Sequence, residues 1–225
     1  RGMSSAASDV YKRQLSDILV RNGLEVNLFD SKTSRYKNRN QVEYIGDIMN
    51  ASDIDKAISG CDIVFHFAAQ ADIDESLHSP TKTIETNILG TQNLLEAARN
   101  HKINRFIFAS TIYVYSELGG FYRVTKQACE KIIEEYQKEF DLNYTILRFG
   151  SLYGPRANKF NAVNSFLLDA INKKQIKRKG SGDEIREYIH VKDAAKLCMD
   201  ALKKEFENQH LIITGNQQIL SLIHI

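Results

Sequence analysis

A doubly wound parallel α/β sheet, followed by a smaller and incomplete second region, is the fold class this sequence predicts. Three observations carry that prediction. Apolar runs of strand length alternate with helical stretches along the chain. Residues 63–68 (IVFHFA) and 106–110 (FIFAS) are apolar nearly throughout, as parallel strands covered on both faces are. No repeat or low-complexity linker interrupts the alternation.

Taken in order, residues 15–22 read as the end of a helix stopped by Gly23. Residues 24–30 (LEVNLFD) and 42–45 read as strands. Ser52 is expected to cap a helix through 59, with Asp55 as its capping-box acid. After the strand at 63–68, a long helix is expected over 80–98, with Ile84, Ile88, Thr91, Leu95 and Ala98 on one side. The strand at 106–110 leads to a helix over 122–140. Its expected inner stripe is Val124, Ala128, Ile132, Tyr136 and Phe140. Residues 144–148 (YTILR) and 211–214 (LIIT) read as further strands.

Composition removes several function classes. Hydrophobic residues at 43% and charged ones at 26% of 225 residues argue against a disordered chain. A net charge of +2 argues against a dedicated nucleic-acid binder. Cys61, Cys129 and Cys198 form no C-x-x-C, which excludes a disulfide scaffold and a cysteine zinc site and fits a reducing, cytoplasmic setting. No metal-ligand set is expected. No apolar run approaches the ~18–20 residues of a membrane span. Lys173, Lys174, Lys177, Arg178 and Lys179 form a basic run, expected to be a solvated face.

Both ends look foreign. Residues 1–14 (RGMSSAASDVYKRQ) lack an apolar period, and 221–225 (SLIHI) follow a turn-like stretch. Both strings resemble translated sequencing-adapter read-through and are set aside, leaving 15–220.

Chemistry concentrates at strand ends. Asp30 stands where, in a dinucleotide-binding βαβ unit, an acid holds the adenosine ribose hydroxyls and repels a 2′-phosphate. The matching Gly-rich loop lies roughly 20 residues upstream. Its glycines would fall near Ala6, Asp9 and Lys12, and no G-x-G-x-x-G or G-x-x-G-x-x-G exists in the chain. Such a loop matters because its N–H groups and the following helix N-terminus bind the pyrophosphate. So either the chain binds no dinucleotide, or it is a fragment. Other features favour the fragment. Gly46-Asp47-Ile48 follows a strand where an acid can meet the adenine amino group. Ala68 and Ala69 leave room for a cofactor, and Asn87 sits mid-helix beside Gly90-Thr91, which suggests a side-chain task. His66 is expected to be a satisfied core histidine.

Thr111 follows the strand 106–110, and Tyr122 and Lys126 share a face of the next helix at i, i+4 spacing. A cation one turn away favours the phenolate and is expected to lower the Tyr122 pKa. Together the three make an acid–base device for an alcohol whose hydride goes to a nicotinamide.

These residues resemble the extended short-chain dehydrogenase/reductase family, in its NAD-dependent nucleotide-sugar epimerase/dehydratase branch and its UDP-glucose 4-epimerase-like form. Residues 147–156 (LRFGSLYGPR) resemble the family's L-R-x-x-N-x-Y-G-P stretch, and 186–193 (REYIHVKD) its R-D-Y-I-H-V-x-D stretch. The resemblance implies a Rossmann-like domain over 15–150 without its first strand, and a partial substrate-binding region over 151–220 with segments returning to the sheet. It implies NAD as cofactor, with Asp30, Asp47, Ile48, Ala68, Ala69, Asn87, Tyr122 and Lys126 at cofactor positions. Thr111, Tyr122 and Lys126 fall on catalytic positions, and Ser151 and Arg186 on substrate positions. A guanidinium suits a nucleotide-sugar diphosphate through bidentate contacts. Pairing into a homodimer would use helices 122–140 and 80–98.

Departures narrow the reaction. Related 4,6-dehydratases carry Thr-Asp-Glu where Thr111, Ile112 and Tyr113 stand, so both carboxyl groups for elimination are missing. The family's Asn is Ser151 here. The expectation is a nucleotide-sugar epimerase, most simply a 4-epimerase on a UDP-hexose-like substrate. Net dehydrogenase/reductase chemistry is the alternative, then a dehydratase, then a non-catalytic cofactor-sensing relative. A fragment without the central first strand leaves backbone edges unpaired in the core. It is expected to be unstable or inactive unless residues 9–13 form a substitute strand.

Overall fold

The computed structural model describes residues 6–33, 41–157, 161–176 and 185–220, and within these stretches side chains are described from Lys12 to Gln217. The terminal string 221–225 and Lys177, Arg178 and Lys179 of the basic run lie outside the described residues. Within them, Lys173 pairs with Asp169 at 2.6 Å on an exposed helix turn.

Helix α1 (Ala6–Arg21) begins inside the stretch expected to be foreign. Residues 9–13 are helical, so they supply no substitute strand. Leu15 and Leu19 are buried, and Gln14 Nε2 donates to the Pro155 carbonyl at 3.1 Å. The helix stops where expected, with Gly23 at φ +80°. Strand β1 (Val26–Asp30) pairs in parallel with β2 (Gln41–Ile45), placing Asp30 opposite Ile45. Helix α2 (Ala51–Ile58) is capped by Asn50, whose side chain accepts the Ser52 N–H at 3.0 Å. The cap therefore lies two residues before the expected Ser52, and Asp55 instead sits 3.2 Å from His101.

Strand β3 (Ile63–His66) is followed by α3 (Ile73–His78) and then by three consecutive helical pieces. These are α4 (Pro80–Ile84), a π-helical turn at Glu85–Leu89 and α5 (Gly90–Asn100). The wider turn changes the phase of the apolar stripe. Thr91, Leu95 and Ala98 face inward as expected, whereas Ile84 is turned out to solvent.

Strand β4 (Arg105–Thr111) runs through a 3-10 turn at Ile112–Tyr115 into α6 (Gly120–Phe140). The inner face of α6 is Thr125, Lys126, Cys129, Glu130, Ile133 and Tyr136. Val124 and Phe140 are exposed, so the expected stripe is corrected by about one residue in phase. A strict four-residue step advances about 40° around an α-helix each time, so it cannot hold one face for four steps.

Strand β5 (Tyr144–Phe149) and β8 (Gln209–Ile213) complete a parallel sheet in the order β3-β4-β5-β8. A small sheet joins β6 (Ser151–Tyr153), β7 (Ile185–His190) and β9 (Gln218–Leu220). Helix α7 (Ala162–Lys173) lies between β6 and β7 in the chain, and α8 (Val191–Asp200) follows β7. Strands β1 and β2 form a separate pair. In the doubly wound order the first strand belongs between β1 and β3, and among the described residues none stands there.

Alternation along the central strands builds two cores. Phe106, Phe108 and Ile146 pack with Leu95, Ala98, Cys129 and Ile133 of α5 and α6. Ile107 and Leu147 point the other way, onto Leu15 and Leu19 of α1 and Ala194, Ala195 and Cys198 of α8. Burial on both faces confirms the parallel α/β class. No described helix is long and apolar enough to cross a membrane.

Candidate active site

The site forms at the carboxyl ends of the strands, where open α/β sheets bind ligands. Thr111 ends β4 with 6% exposure, and its Oγ1 accepts the Tyr113 N–H at 3.2 Å. That bond leaves the threonine hydroxyl hydrogen available to another partner. Gly119, at φ +101°, lets the chain turn tightly into α6; a Cβ there would meet the Tyr113 Cβ at 3.3 Å.

Tyr122 and Lys126 share the first turns of α6, with the Lys126 Nζ 5.9 Å from the Tyr122 ring centroid. Lys126 is 2% exposed. Its Nζ donates to the Ala109 carbonyl at 2.7 Å and sits 4.4 Å above the Phe108 ring. Burial pulls the Lys126 ammonium down to about 8, against the weaker upward pull of Cys129 and Glu130. Burial, with a smaller push from Tyr113, raises the Tyr122 phenol well above the usual range. The expected lowering of Tyr122 by its cation is therefore corrected. Desolvation outweighs a lysine turned toward a carbonyl and weakened by its own burial.

The cofactor candidates line one crevice. Asp30, Asp47, Ile48, Ala68 and Ala69 border a single depression together with Lys12, Phe29 and Gly46. A Cβ on Gly46 would lie 2.7 Å from the Phe29 ring, so a glycine is needed there. Asp47 Oδ1 accepts the Met49 N–H at 2.9 Å, and Ile48 is buried against Gly90. Asn87, 1% exposed, lies within the π-helical turn and ties two elements together. Its Oδ1 accepts the Gln70 N–H at 2.7 Å, and its Nδ2 donates to the Gln70 carbonyl at 3.1 Å and to Thr125 Oγ1 at 2.9 Å. His66 is the satisfied core histidine expected: its Nε2 lies 2.8 Å from Thr91 Oγ1, and burial holds it well below its ordinary pKa.

These residues fit a dinucleotide at its two ends. Asp30 offers a carboxylate at the strand end. The Gln70 Nε2, buried and without a protein partner, offers a donor beside Ala68 and Ala69. The middle differs. Lys12 of α1 borders the same depression, its Nζ 3.4 Å from Asp30 Oδ2, and no glycine loop stands at that point of the sequence.

On the substrate side, Ser151 in β6 lies in register with Tyr188 of β7, the strand that carries Arg186. Arg186 Nη1 donates to the Tyr113 hydroxyl at 2.6 Å. The structure thus brings Thr111, Tyr113 and Arg186 into one chain of bonds.

Sequence reasoning missed a buried ionic cluster beside this site. Glu130 Oε1 accepts from Ser110 Oγ at 2.5 Å and from Arg148 Nε at 3.1 Å, and Glu130 Oε2 accepts from Arg148 Nη2 at 2.6 Å. Arg148 also donates to Tyr115, and its Nη2 lies 2.8 Å from His210 Nδ1. A carboxylate four residues after Lys126 on the same helix face was the available signal. Among the described residues no cluster of ligands suited to a metal occurs.

A doubly wound sheet with a strand-end threonine and a Tyr-x-x-x-Lys helix defines a class: the enzymes of the short-chain dehydrogenase/reductase type. The chain belongs to the NAD dependent epimerase/dehydratase family, whose model matches residues 13–214. It is 31% identical over 161 residues to the low-salt glycan biosynthesis protein Agl12 of Haloferax volcanii, covering 66% of this chain and 52% of that protein. It is 30% identical over 161 residues to a dTDP-glucose 4,6-dehydratase of Streptomyces antibioticus, covering 66% of this chain and 48% of that protein. The chain thus spans about half the length of these two curated relatives. Among solved structures it resembles the UDP-glucose 4-epimerase of Thermotoga maritima with UDP-glucose. There the TM-score is 0.86 at 26% identity, covering 93% of this chain and 75% of the other. The fold is also that of the Thermus thermophilus UDP-glucose 4-epimerase in complex with NAD, at TM-score 0.84 and 24% identity over 94% and 75% of the two chains.

Proposed function

We propose that this chain carries the proton-transfer site of an NAD-dependent nucleotide-sugar 4-epimerase acting on a UDP-hexose-like substrate. The observation that supports this reading most is the Thr111–Tyr113–Arg186 chain of bonds beside Tyr122 and Lys126. It gathers a strand-end hydroxyl, a phenol and a guanidinium, with no carboxyl group at positions 112 and 113 for eliminating water.

Residues 15–150 form the NAD-binding part in this reading, and 151–220 contribute the substrate side. Asp30 would hold the adenosine ribose, with Asp47, Ile48, Ala68 and Ala69 bordering the adenine and nicotinamide ends. Asn87 acts by fixing the Gln70 backbone against α6. NAD, when bound, supplies reversible hydride acceptance at the sugar carbon. Tyr122 exchanges a proton with the sugar 4-hydroxyl, and Thr111 donates its free hydroxyl hydrogen to the same oxygen. Lys126, held by the Ala109 carbonyl, places a positive charge beside the Tyr122 ring, which favours the phenolate when the proton leaves. Arg186 binds the diphosphate and Ser151 borders the sugar. The exposed outer side of α6, including Phe121 and Val124, together with Ile84, is where a homodimer would pair.

The reading is tested by replacing residues 1–12 with a strand and a Gly-x-x-Gly-x-x-Gly loop, then assaying UDP-glucose and UDP-galactose interconversion with and without Tyr122→Phe. A 4,6-dehydratase product, or turnover unchanged by the substitution, would refute it.

A further inference from the structure

Resting on the reading of Arg186 as a diphosphate ligand, the geometry points to Tyr113 as a second diphosphate-binding residue, paired with Arg186. The phenol oxygen already accepts from Arg186 Nη1 at 2.6 Å. A guanidinium has donors only. The Tyr113 hydrogen must therefore be directed away from Arg186, toward an acceptor. Arg186 and Tyr113 thus form two donors, one cationic and one polarised by it, side by side. That pair suits an anionic oxygen shared between them, as on a phosphoryl group.

Three contacts hold the Tyr113 backbone from which that hydroxyl extends. The Tyr113 backbone N–H is bound to Thr111 Oγ1 at 3.2 Å. Gly119 packs within 3.3 Å of the Tyr113 Cβ, measured from where a Cβ of its own would be. The carbonyl of Tyr113 accepts the Ser116 N–H at 2.9 Å, closing the 3-10 turn. Tyr113 is therefore held at its backbone by the catalytic threonine and at its hydroxyl by Arg186. The anion would meet the hydroxyl end of the Tyr113 side chain, whose backbone is bonded to Thr111. The phenols also interact electrostatically, since Tyr113 contributes to the upward shift of Tyr122.

Calorimetric titration of the full 225-residue chain with UDP and with uridine tests the assignment. The expected result is about tenfold weaker UDP binding in Tyr113→Phe, with uridine binding unchanged, because only the diphosphate meets the hydroxyl. A double-mutant cycle with Arg186→Lys should show that the two losses are not additive. Equal UDP affinity in wild type and Tyr113→Phe, or an equal loss for UDP and uridine, would overturn the Tyr113 role alone. A wild-type chain that takes up neither compound would overturn the nucleotide-sugar reading and this proposal together. Thermal melting of each variant separates a lost contact from a lost fold, and wild-type-like melting with a tenfold UDP loss is the supporting pair.

Discussion

The ammonium of Lys126 donates to the carbonyl of Ala109 at 2.7 Å, across the gap between α6 and the end of β4. A buried cation is thus held by a neutral oxygen, and desolvation sets its behaviour. Folded Lys126 releases its proton near pH 8, whereas in the unfolded chain it does so near 10.5. Between those values the unfolded state binds more protons, so stability rises with pH across that window. Urea unfolding midpoints at pH 7.5, 9 and 10.5 should climb in the wild type. They should climb less in Lys126→Met. An equal slope in both proteins would remove Lys126 as the source.

Activity should move the opposite way. In the proposed mechanism the charged lysine assists loss of the Tyr122 proton, so turnover should fall as pH rises above about 8, where Lys126 loses its charge. Lys126→Arg keeps its charge throughout and should lose that alkaline fall while turning over more slowly. A pH–rate profile identical in shape for both would place the alkaline limb on another group.

Glu130, its side chain 5% exposed, joins Ser110 and Arg148. Replacing it with alanine leaves the Arg148 guanidinium without its carboxylate. A loss of about 3–5 kcal/mol in unfolding free energy is expected. Chemical denaturation measures it, and a loss below about 1 kcal/mol, the range of an exposed pair, would show that solvent or His210 takes over the pairing.

Asn87 makes three side-chain bonds that tie β3's exit to α6. Asn87→Ala should cost roughly 2–3 kcal/mol, since the Gln70 backbone groups lose their buried partner. Asn87→Asp keeps the acceptor for Gln70 N–H but sets a buried, unpaired carboxylate oxygen against the Gln70 carbonyl, so it should cost at least as much as alanine. Stability of the alanine variant within about 0.5 kcal/mol of wild type, the size of an ordinary surface change, would contradict this.

The strand edges facing one another from β1 and β3 lack a partner strand among the described residues. Amides of Val26–Asp30 should therefore exchange with solvent faster than those of Arg105–Thr111, which sit inside β3-β4-β5. Hydrogen exchange read by mass spectrometry distinguishes the two segments, and equal protection would mean that β1 is covered as well as β4.

Much of this molecule is legible in its sequence, for identifiable reasons. Strands covered on both faces must be apolar along their length, which is why 106–110 and 144–148 stand out. The i, i+4 spacing of Tyr122 and Lys126 is a helical signature that survives without any structure. Other features carry no local mark. A π-helical turn at Glu85–Leu89 needs one residue more per turn than the pattern of Ile84, Ile88 and Thr91 suggests, so the outward turn of Ile84 was hidden. Asn87, singled out by its poor helix propensity, proved to lie in that turn. Tyr113 and Arg186 are 73 residues apart, and only the docking of β7 beside the 3-10 turn joins them. The direction of the Tyr122 shift depends on burial, which spacing alone does not report.

The most direct test of a Tyr122-centred sugar oxidation is interconversion of UDP-glucose and UDP-galactose. It is to be measured with NAD in the chain whose residues 1–12 carry a strand and glycine loop, alongside Tyr122→Phe. Removing the proton-transfer group should cut turnover by about 10²–10⁴-fold. UDP affinity should stay as in the parent. Interconversion at the parent rate in Tyr122→Phe would contradict it, whereas formation of a 4-keto-6-deoxy sugar by the parent would contradict the epimerase assignment.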